Sequence, residues 1–487
     1  MSIEPSSVRK RATFARGGDG AVAAAHPIAV EAGLESFRRG GNAVDAAVSA
    51  QAALTVVLPH ACSLGGDALA LVRLPDGTID AIHGAGAAPA IVPAPDRPGA
   101  TVTVPGLVEA WSALVARHGR LGLVDDLAEA LRLAAEGIAV PVSTAAAVER
   151  HRARLVDGGA GGWELLSLGA GERWVQPALA PTLEAIASDP RVFYEGPLAA
   201  AMVRAVGDHG GTLGTDHLAR HTATWPEAIG TPWDDGTLVV QPPMSQGILL
   251  ALAARWIERH GPGDARDHTA AEAIAAAFAH RNRIGEGTAL LDEPLDVDPG
   301  RATTRWAARS YLHTAGVATA DRAGMVVSSL VSVFDEFGSG VFVPAGGFVL
   351  NNRAEGFTEA PNDLRPGALP VHTLAPALHV RHDGRVTALA TPGADGQVQT
   401  LLQVLLAMRF DGPDVLAALE RPRWRGEGDR LLIERGHPAV EDLERRGHRL
   451  EVADHGDDRF GAVVEAGIDD DGPWAAGDER REVAAGA

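Results

Sequence analysis

Two hydroxyl residues, Thr314 and Ser332, stand where a candidate hairpin could bring them together. They mark one end of two apolar, β-branched runs, 314–320 and 325–333, which contain neither proline nor charge. Such runs suit strands covered on both faces. Asp321-Arg322-Ala323-Gly324 lies between them. With Arg322 to Gly324 as a three-residue loop and Gly324 left-handed, the hairpin has a type I turn with a G1 bulge. Asp321 then faces Met325, and Thr314 faces Ser332. A two-residue loop would shift the register and turn Ser332 to the other face. In the first register two hydroxyls meet on a buried ladder, where an unpartnered hydroxyl costs roughly 1–3 kcal/mol. Either they satisfy each other or the backbone, as Thr–Ser pairs do, or they form an active site at the open end of the hairpin.

Single-copy residues narrow the chemistry. Cys62 is the sole cysteine, which removes an internal disulfide and a multi-thiolate metal site. Lys10 is the sole lysine and lies near the terminus, so neither a P-loop nor a Schiff-base lysine is available. The 18 histidines include no H-E-x-x-H pair, and no metal or cofactor is expected. The formal charge of −20 argues against nucleic acid and anionic membranes as partners. No run of 18 apolar residues occurs, and Arg9, Lys10 and Arg11 precede no apolar segment, so a soluble, cytoplasmic protein is expected.

The positioning elements follow from periodicity. At 487 residues and 46% hydrophobic, the chain can bury one large core or two ordinary ones. A strand over 21–27 leads to a helix stopped by Gly40-Gly41; Asn42 caps a second helix over 43–57, apolar nearly all round and hence buried. A loop over 58–67 precedes a hairpin of 68–74 with 79–83; within it Gly65-Gly66 reads as a turn, or as a place where backbone approaches a ligand. The pattern predicts a strand and turn over 101–106, a helix over 108–117, and a helix capped by Asp125 or Asp126 that ends at Gly137. The glycines of 158–162 follow no strand and precede no lysine, which argues against a phosphate loop. Helices are predicted over 179–188, 198–209, 245–260 and 269–282, then loop to Gly300. Beyond the central hairpin come an apolar run over 341–350, Asn351-Asn352-Arg353, and a hairpin of 377–380 with 386–390. Clustered strands with helices between and after them indicate an α+β layering without a βαβ repeat.

In that order the pieces resemble the gamma-glutamyltransferase family of N-terminal nucleophile hydrolases. The resemblance rests on Gly40-Gly41-Asn42-Ala43-Val44-Asp45-Ala46-Ala47, Pro59-His60 with Gly65-Gly66, Val104-Pro105-Gly106, Pro243-Met244-Ser245-Gln246-Gly247, Phe337-Gly338-Ser339-Gly340 and Glu479-Arg480-Arg481. It implies an αββα sandwich and a precursor that cuts itself between His313 and Thr314. A large chain, 1–313, and a small chain, 314–487, would form one structural domain and each other's partner, with a homodimer of such pairs left open. An N-terminal threonine can attack an amide, its own amine (reference pKa about 7.7–8.0) taking the proton. The resemblance implies that Ser332 orients the nucleophile and that the amides at Gly393 and Ala394 hold the oxyanion.

Departures from the family pattern define the substrate expectation. The glutamyl-carboxylate arginine falls on Ala85, the amine-binding aspartate on Gly356, the paired serines on His372-Thr373, the asparagine after the second hydroxyl on Phe334 and the histidine after the nucleophile on Gly316. An α-amino-acid head group would be poorly held. Asn352-Arg353 and His372-Thr373 are similar to a divergent branch that includes oxamate amidohydrolase and acylase-like proteins. Arg353 could offer a fork to a carboxylate, or make a structural ion pair. The expectation is a threonine amidohydrolase that cleaves an amide of a small carboxylate-bearing substrate through an acyl-enzyme, with Asn352, Arg353, His372 and Thr373 binding substrate. The alternatives are a gamma-glutamyl hydrolase or transferase acting on glutathione-like compounds, and an unprocessed binding protein of the same fold.

Overall fold

The computed structural model describes residues 11–91, 97–303 and 313–487. Thirteen strands and five helices carry the architecture. In chain order they are β1 (Thr13–Arg16), β2 (Gly20–Ala24), α1 (Pro27–Arg38), α2 (Ala43–Val57), β3 (Asp67–Arg73), β4 (Ile79–Gly84), β5 (Ile229–Trp233), β6 (Gly236–Val240), α3 (Gly247–His260), α4 (Arg266–Phe278), β7 (Ala315–Asp321), β8 (Val326–Ser332), β9 (Ala377–Arg381), β10 (Val386–Ala390), α5 (Gly396–Phe410), β11 (Val464–Asp469), β12 (Gly472–Gly477) and β13 (Ala484–Gly486).

They build two antiparallel sheets. The six-stranded sheet has the order β13-β2-β7-β8-β3-β4, and the seven-stranded sheet the order β1-β12-β11-β10-β9-β6-β5. Residues alternate across each sheet, so one face of β7 and β8 meets the other sheet and the opposite face meets helices. Ala318, Ala320, Leu330, Leu69 and Leu71 pack against Leu378, Ala388, Ala390, Val464 and Ala466 between the sheets. Ala315, Val317, Val327 and Val331 join α1 and α2 in the outer core on one side, and α3, α4 and α5 cover the second sheet. This is the expected αββα order of layers.

Local sequence explains the central pieces. Asn42 caps α2 through the amides of Val44 and Asp45 while Asp45 returns a bond to the Asn42 amide, a complete capping box. All 15 residues of α2 are buried, and each of its valines and leucines contributes about 1.5–3 kcal/mol by leaving water. At the β7–β8 turn Gly324 has φ +94, and the Asp321 amide bonds the Met325 carbonyl at 2.9 Å. The ladder pairs Ala320 with Val326 and Ala315 with Val331, so the three-residue loop sets the register.

Three expectations are corrected. Residues 102–106 form no strand: Pro105 has no N–H to give, and the Gly106 amide bonds Gly66 O at 2.9 Å. The helix expected to be capped at Asp125 or Asp126 runs over Ala128–Glu136 with Leu127 at its N-cap and no side-chain cap, because Asp125 and Asp126 belong to a separate turn, Leu123–Asp126, that follows Gly122 at φ +120. Residues Arg281–Asp292 wind into 3-10 turns where loop was expected. Gly65-Gly66 serves packing: a Cβ on Gly65 would meet Val349 O at 2.2 Å, and one on Gly66 would meet Ser332 O at 2.5 Å.

Candidate active site

The site lies where β7 begins and β8 ends. Extending the ladder by one pair sets Thr314 beside Ser332, and Ser332 in turn pairs with Asp67 at the start of β3. Ala68 pairs with Gly84, so Ala85 follows Asp67. Thr314, Ser332, Asp67 and Ala85 therefore form one row across four strands, all on the face towards the second sheet.

The hydroxyls are partnered in a definite direction. Thr314 Oγ1 lies 3.3 Å from Ser332 Oγ, and Thr314 is only 6% exposed. Ser332 Oγ accepts the Phe334 amide at 2.9 Å, which leaves its own proton for the His313 carbonyl 3.5 Å away. Phe334 has φ +84, a left-handed backbone that a bulky side chain rarely adopts and that tends to persist at functional turns. The turn is braced by Asn352, whose side chain accepts the Asp335 amide at 3.0 Å and donates to the Asp335 carboxylate at 2.7 Å. Asn352 thus spends its side chain on the backbone that carries Ser332.

Beside Ser332 is a buried polar cluster. Arg353 Nε donates to Asp67 Oδ2 at 2.9 Å, and the guanidinium lies 4.6 Å from the Phe334 ring centroid. His372 Nε2 is 3.4 Å from the same oxygen, while His372 Nδ1 accepts the Leu374 amide at 3.3 Å; the ring therefore carries its proton on Nε2. Burial drives the His372 pKa well below its usual value, with Arg353 adding to the shift, so the ring is neutral. Burial raises the Asp67 carboxyl, and Arg353 opposes the rise. His83, edge-on to His372 at 6.0 Å, is pushed by burial down to about 3.

The second sheet supplies the opposite wall. A Cβ on Gly316 would lie 2.9 Å from Val464 Cγ2 and 3.6 Å from Ala390 Cβ, which explains why no large side chain stands two residues after Thr314. The end of β10 thus faces the start of β7, and the chain continues from β10 through Pro392-Gly393-Ala394. Gly393 has φ +128 and Ala394 φ +50. At a cost of about 1–2 kcal/mol, Ala394 takes a left-handed turn that glycine would adopt freely. Gln246 Nε2 holds the Ala394 carbonyl at 2.8 Å and the Thr373 carbonyl at 2.7 Å, tying this turn to the His372 segment. Neither the Gly393 nor the Ala394 amide donates to an acceptor among the described residues.

His313 completes the arrangement from the other side. Its Nε2 lies 2.7 Å from Glu336 Oε1, and its ring meets His60 edge-on at 5.4 Å. Glu336 also binds Arg150 and His151. Burial would raise its carboxyl, but hydrogen bonds from His313 and Arg150 outweigh burial and hold it well below the ordinary carboxylate range.

Sequence reasoning missed Asp67 and Glu336. Each is an acidic residue at the rim of an apolar segment, Glu336 next to Asp335, and that placement was the available signal. Among the described residues His268, Glu272 and His448 have side chains of metal-holding type. Their donors serve other purposes: His268 Nδ1 meets His448 Nε2 at 2.8 Å, His268 Nε2 meets Asp298 O at 2.9 Å, and Glu272 accepts the Thr303 amide at 3.0 Å. No helix among the described residues is long and apolar enough to cross a membrane.

Comparison with known proteins is consistent along the chain. The profile of gamma-glutamyltranspeptidase matches residues 29–487. The oxamate amidohydrolase proenzyme of Klebsiella pneumoniae is 32% identical over 482 residues, covering 89% of this chain and 91% of that protein. The acylase ACY 1 proenzyme of Pseudomonas sp. strain V22 is 28% identical, covering 90% and 88%. The crystal structure of cephalosporin acylase from Bacillus halodurans superposes with a TM-score of 0.85 at 29% identity, over 100% of this chain and 99% of that one.

Proposed function

Because the chain belongs to the gamma-glutamyltranspeptidase family, we propose that it is a self-processing threonine amidohydrolase with Thr314 as nucleophile. The observation that carries the reading is the alignment of Thr314 Oγ1, Ser332 Oγ and the His313 carbonyl within 3.3 and 3.5 Å steps. The names of the oxamate amidohydrolase and acylase proenzymes support it.

In self-processing the Thr314 hydroxyl adds to the His313 carbonyl and the C–N bond breaks, the nitrogen taking the proton. Water then opens the ester, which leaves a carboxylate on His313 and a free amine on Thr314. The chains 1–313 and 314–487 stay in one body, since β7 and β8 lie between β2 and β3 in one sheet. In turnover the Thr314 hydroxyl attacks the substrate amide and its amine takes the proton. Ser332 orients the hydroxyl, and the Gly393 and Ala394 amides hold the developing oxyanion.

The substrate class in this reading is a small carboxylate-bearing amide, met by Arg353, His372 and Thr373. Support comes from what the row lacks and what it holds. Ala85 offers no cation and Gly356 no anion, so a glutamyl head group has no pair of charges to span. Arg353 instead brings a cation to the neighbourhood of Ala85 from another loop, through Asp67. Competition with Asp67 favours a small acid that enters the cluster over a bulky one. A cytoplasmic location belongs to the same proposal.

Intact mass under denaturing conditions, with N-terminal sequencing of the small fragment, tests the reading. Two chains are expected, the smaller beginning Thr-Ala-Gly-Val. A chain that stays whole on prolonged incubation would sink it. Turnover of oxamate-like amides over a glutamyl anilide is expected, and the reverse preference would overturn the substrate class.

A further inference from the structure

We propose that Glu336 is the positioning residue for self-cleavage: it grips the imidazole of His313 and so holds the carbonyl under attack beside Ser332 and Thr314. This rests on the reading of the His313–Thr314 bond as the bond that is cut. The need for such a grip follows from where the ladder stops. Pairing begins at Ala315, so His313 lies outside the ladder and no strand bond sets the direction of its carbonyl. Its side chain is the fixed point instead, held 2.7 Å from Glu336 and packed on His60, whose own Nδ1 is anchored 3.1 Å from Thr144 Oγ1.

Glu336 is itself immobilised. Arg150 and His151, from the helix Val142–Leu155, bind its carboxylate, and its neighbours Phe334 and Phe337 have φ +84 and +58. Ser332 and Glu336 therefore issue from one braced turn, four residues apart. One places a hydroxyl 3.5 Å from the His313 carbonyl, and the other holds the side chain of the same residue. The two contacts fix His313 at both ends, which sets the angle at which the Thr314 hydroxyl meets the carbonyl. An attack of this kind depends steeply on such placement: a shift of about 1 Å can cost about 100-fold in rate.

The test is the rate of chain cutting after cell-free synthesis of the full chain, followed by intact mass. Glu336→Ala and His313→Ala are each expected to slow cutting about tenfold or more. Because both remove one contact, the double variant is expected to be no slower than the worse single one. Glu336→Gln, which keeps an acceptor oxygen, and His313→Gln, which keeps an N–H donor, are expected to recover most of the rate. Thermal unfolding of each uncut variant identifies misfolding, and the two glutamine variants keep the test alive if an alanine variant unfolds. Cutting of Glu336→Ala at the wild-type rate, or losses that multiply in the double variant, would overturn the grip. A wild-type chain that never cuts would overturn the reading beneath it.

Discussion

Two buried ionic clusters in this molecule are built to opposite standards. Away from Thr314, Arg480 donates to both oxygens of Glu434 at 3.0 and 2.6 Å, to Asp478 at 3.0 Å and to the carbonyls of Leu419 and Arg421 at 3.0 and 3.3 Å. Asp478 in turn accepts the Val463 amide at 3.1 Å and pairs with Arg423. Beside Ser332 the cluster is asymmetric. Asp67 Oδ2 is shared by Arg353 and His372, while its buried Oδ1 meets no hydrogen-bond partner among the described residues. The Glu434 and Asp478 carboxylates are thus met on both oxygens, which braces the fold, whereas Asp67, in the row of Thr314 and Ser332, is met on one.

The comparison breaks first at Thr314, the proposed nucleophile. Thr314→Ala should abolish both chain cutting and turnover while leaving the unfolding midpoint of the precursor near wild type; either activity surviving would remove Thr314 from the centre. Next in size is Arg480→Leu, which strands Glu434 and Asp478. A loss of about 3–5 kcal/mol is expected in urea unfolding, and a loss below about 1 kcal/mol would show that the network is not structural. Arg353→Ala should raise KM for acidic amides by about 10–100-fold, the worth of a charged hydrogen bond, and spare cutting. It should destabilise less than the Arg480 change, because Asp67 can take up a proton once its partner is gone. Equal loss with neutral amides would count against a carboxylate role.

The smallest effect sharpens the scaffold side. Glu465 borders that network with both carboxylate oxygens buried and, among the described residues, without hydrogen bonds, and burial raises its pKa to about 8, with Arg423 opposing and Asp478 reinforcing the shift. A raised carboxyl keeps its proton in the fold and loses it on unfolding. Its favourable contribution is complete below the unfolded value of about 4.3 and disappears as pH rises through the folded value. Glu465→Gln should therefore gain on wild type progressively from pH 5 to pH 9 as the solution is made alkaline, by on the order of 2–4 kcal/mol at the upper end. A stability difference flat with pH would show that the carboxyl is not buried neutral.

Much of the site was legible in short range. The Thr314–Ser332 pairing followed from a G1 turn and period-two alternation, both local properties. The role of Asn352 was not legible: an asparagine after an apolar run reads equally as a ligand contact, and only the fold brings it to Asp335. Arg353 was ambiguous for the same reason, since its partner Asp67 is 286 residues away. Glu336 was not legible either, since only the fold brings Arg150 and His151 of helix Val142–Leu155 against it.

The sequence by itself determined the elements and their amphipathic faces, the hairpin register, the sole lysine and cysteine, and the family. Those depend on propensity, spacing and residue inventory, which are written within a few turns of chain. The tertiary structure alone decided which charges met. Pairing of Asp67 with Arg353 or of His313 with Glu336 depends on the sheet order and on the helices packed around it, and no local rule sets which distant carboxylate a buried cation will find.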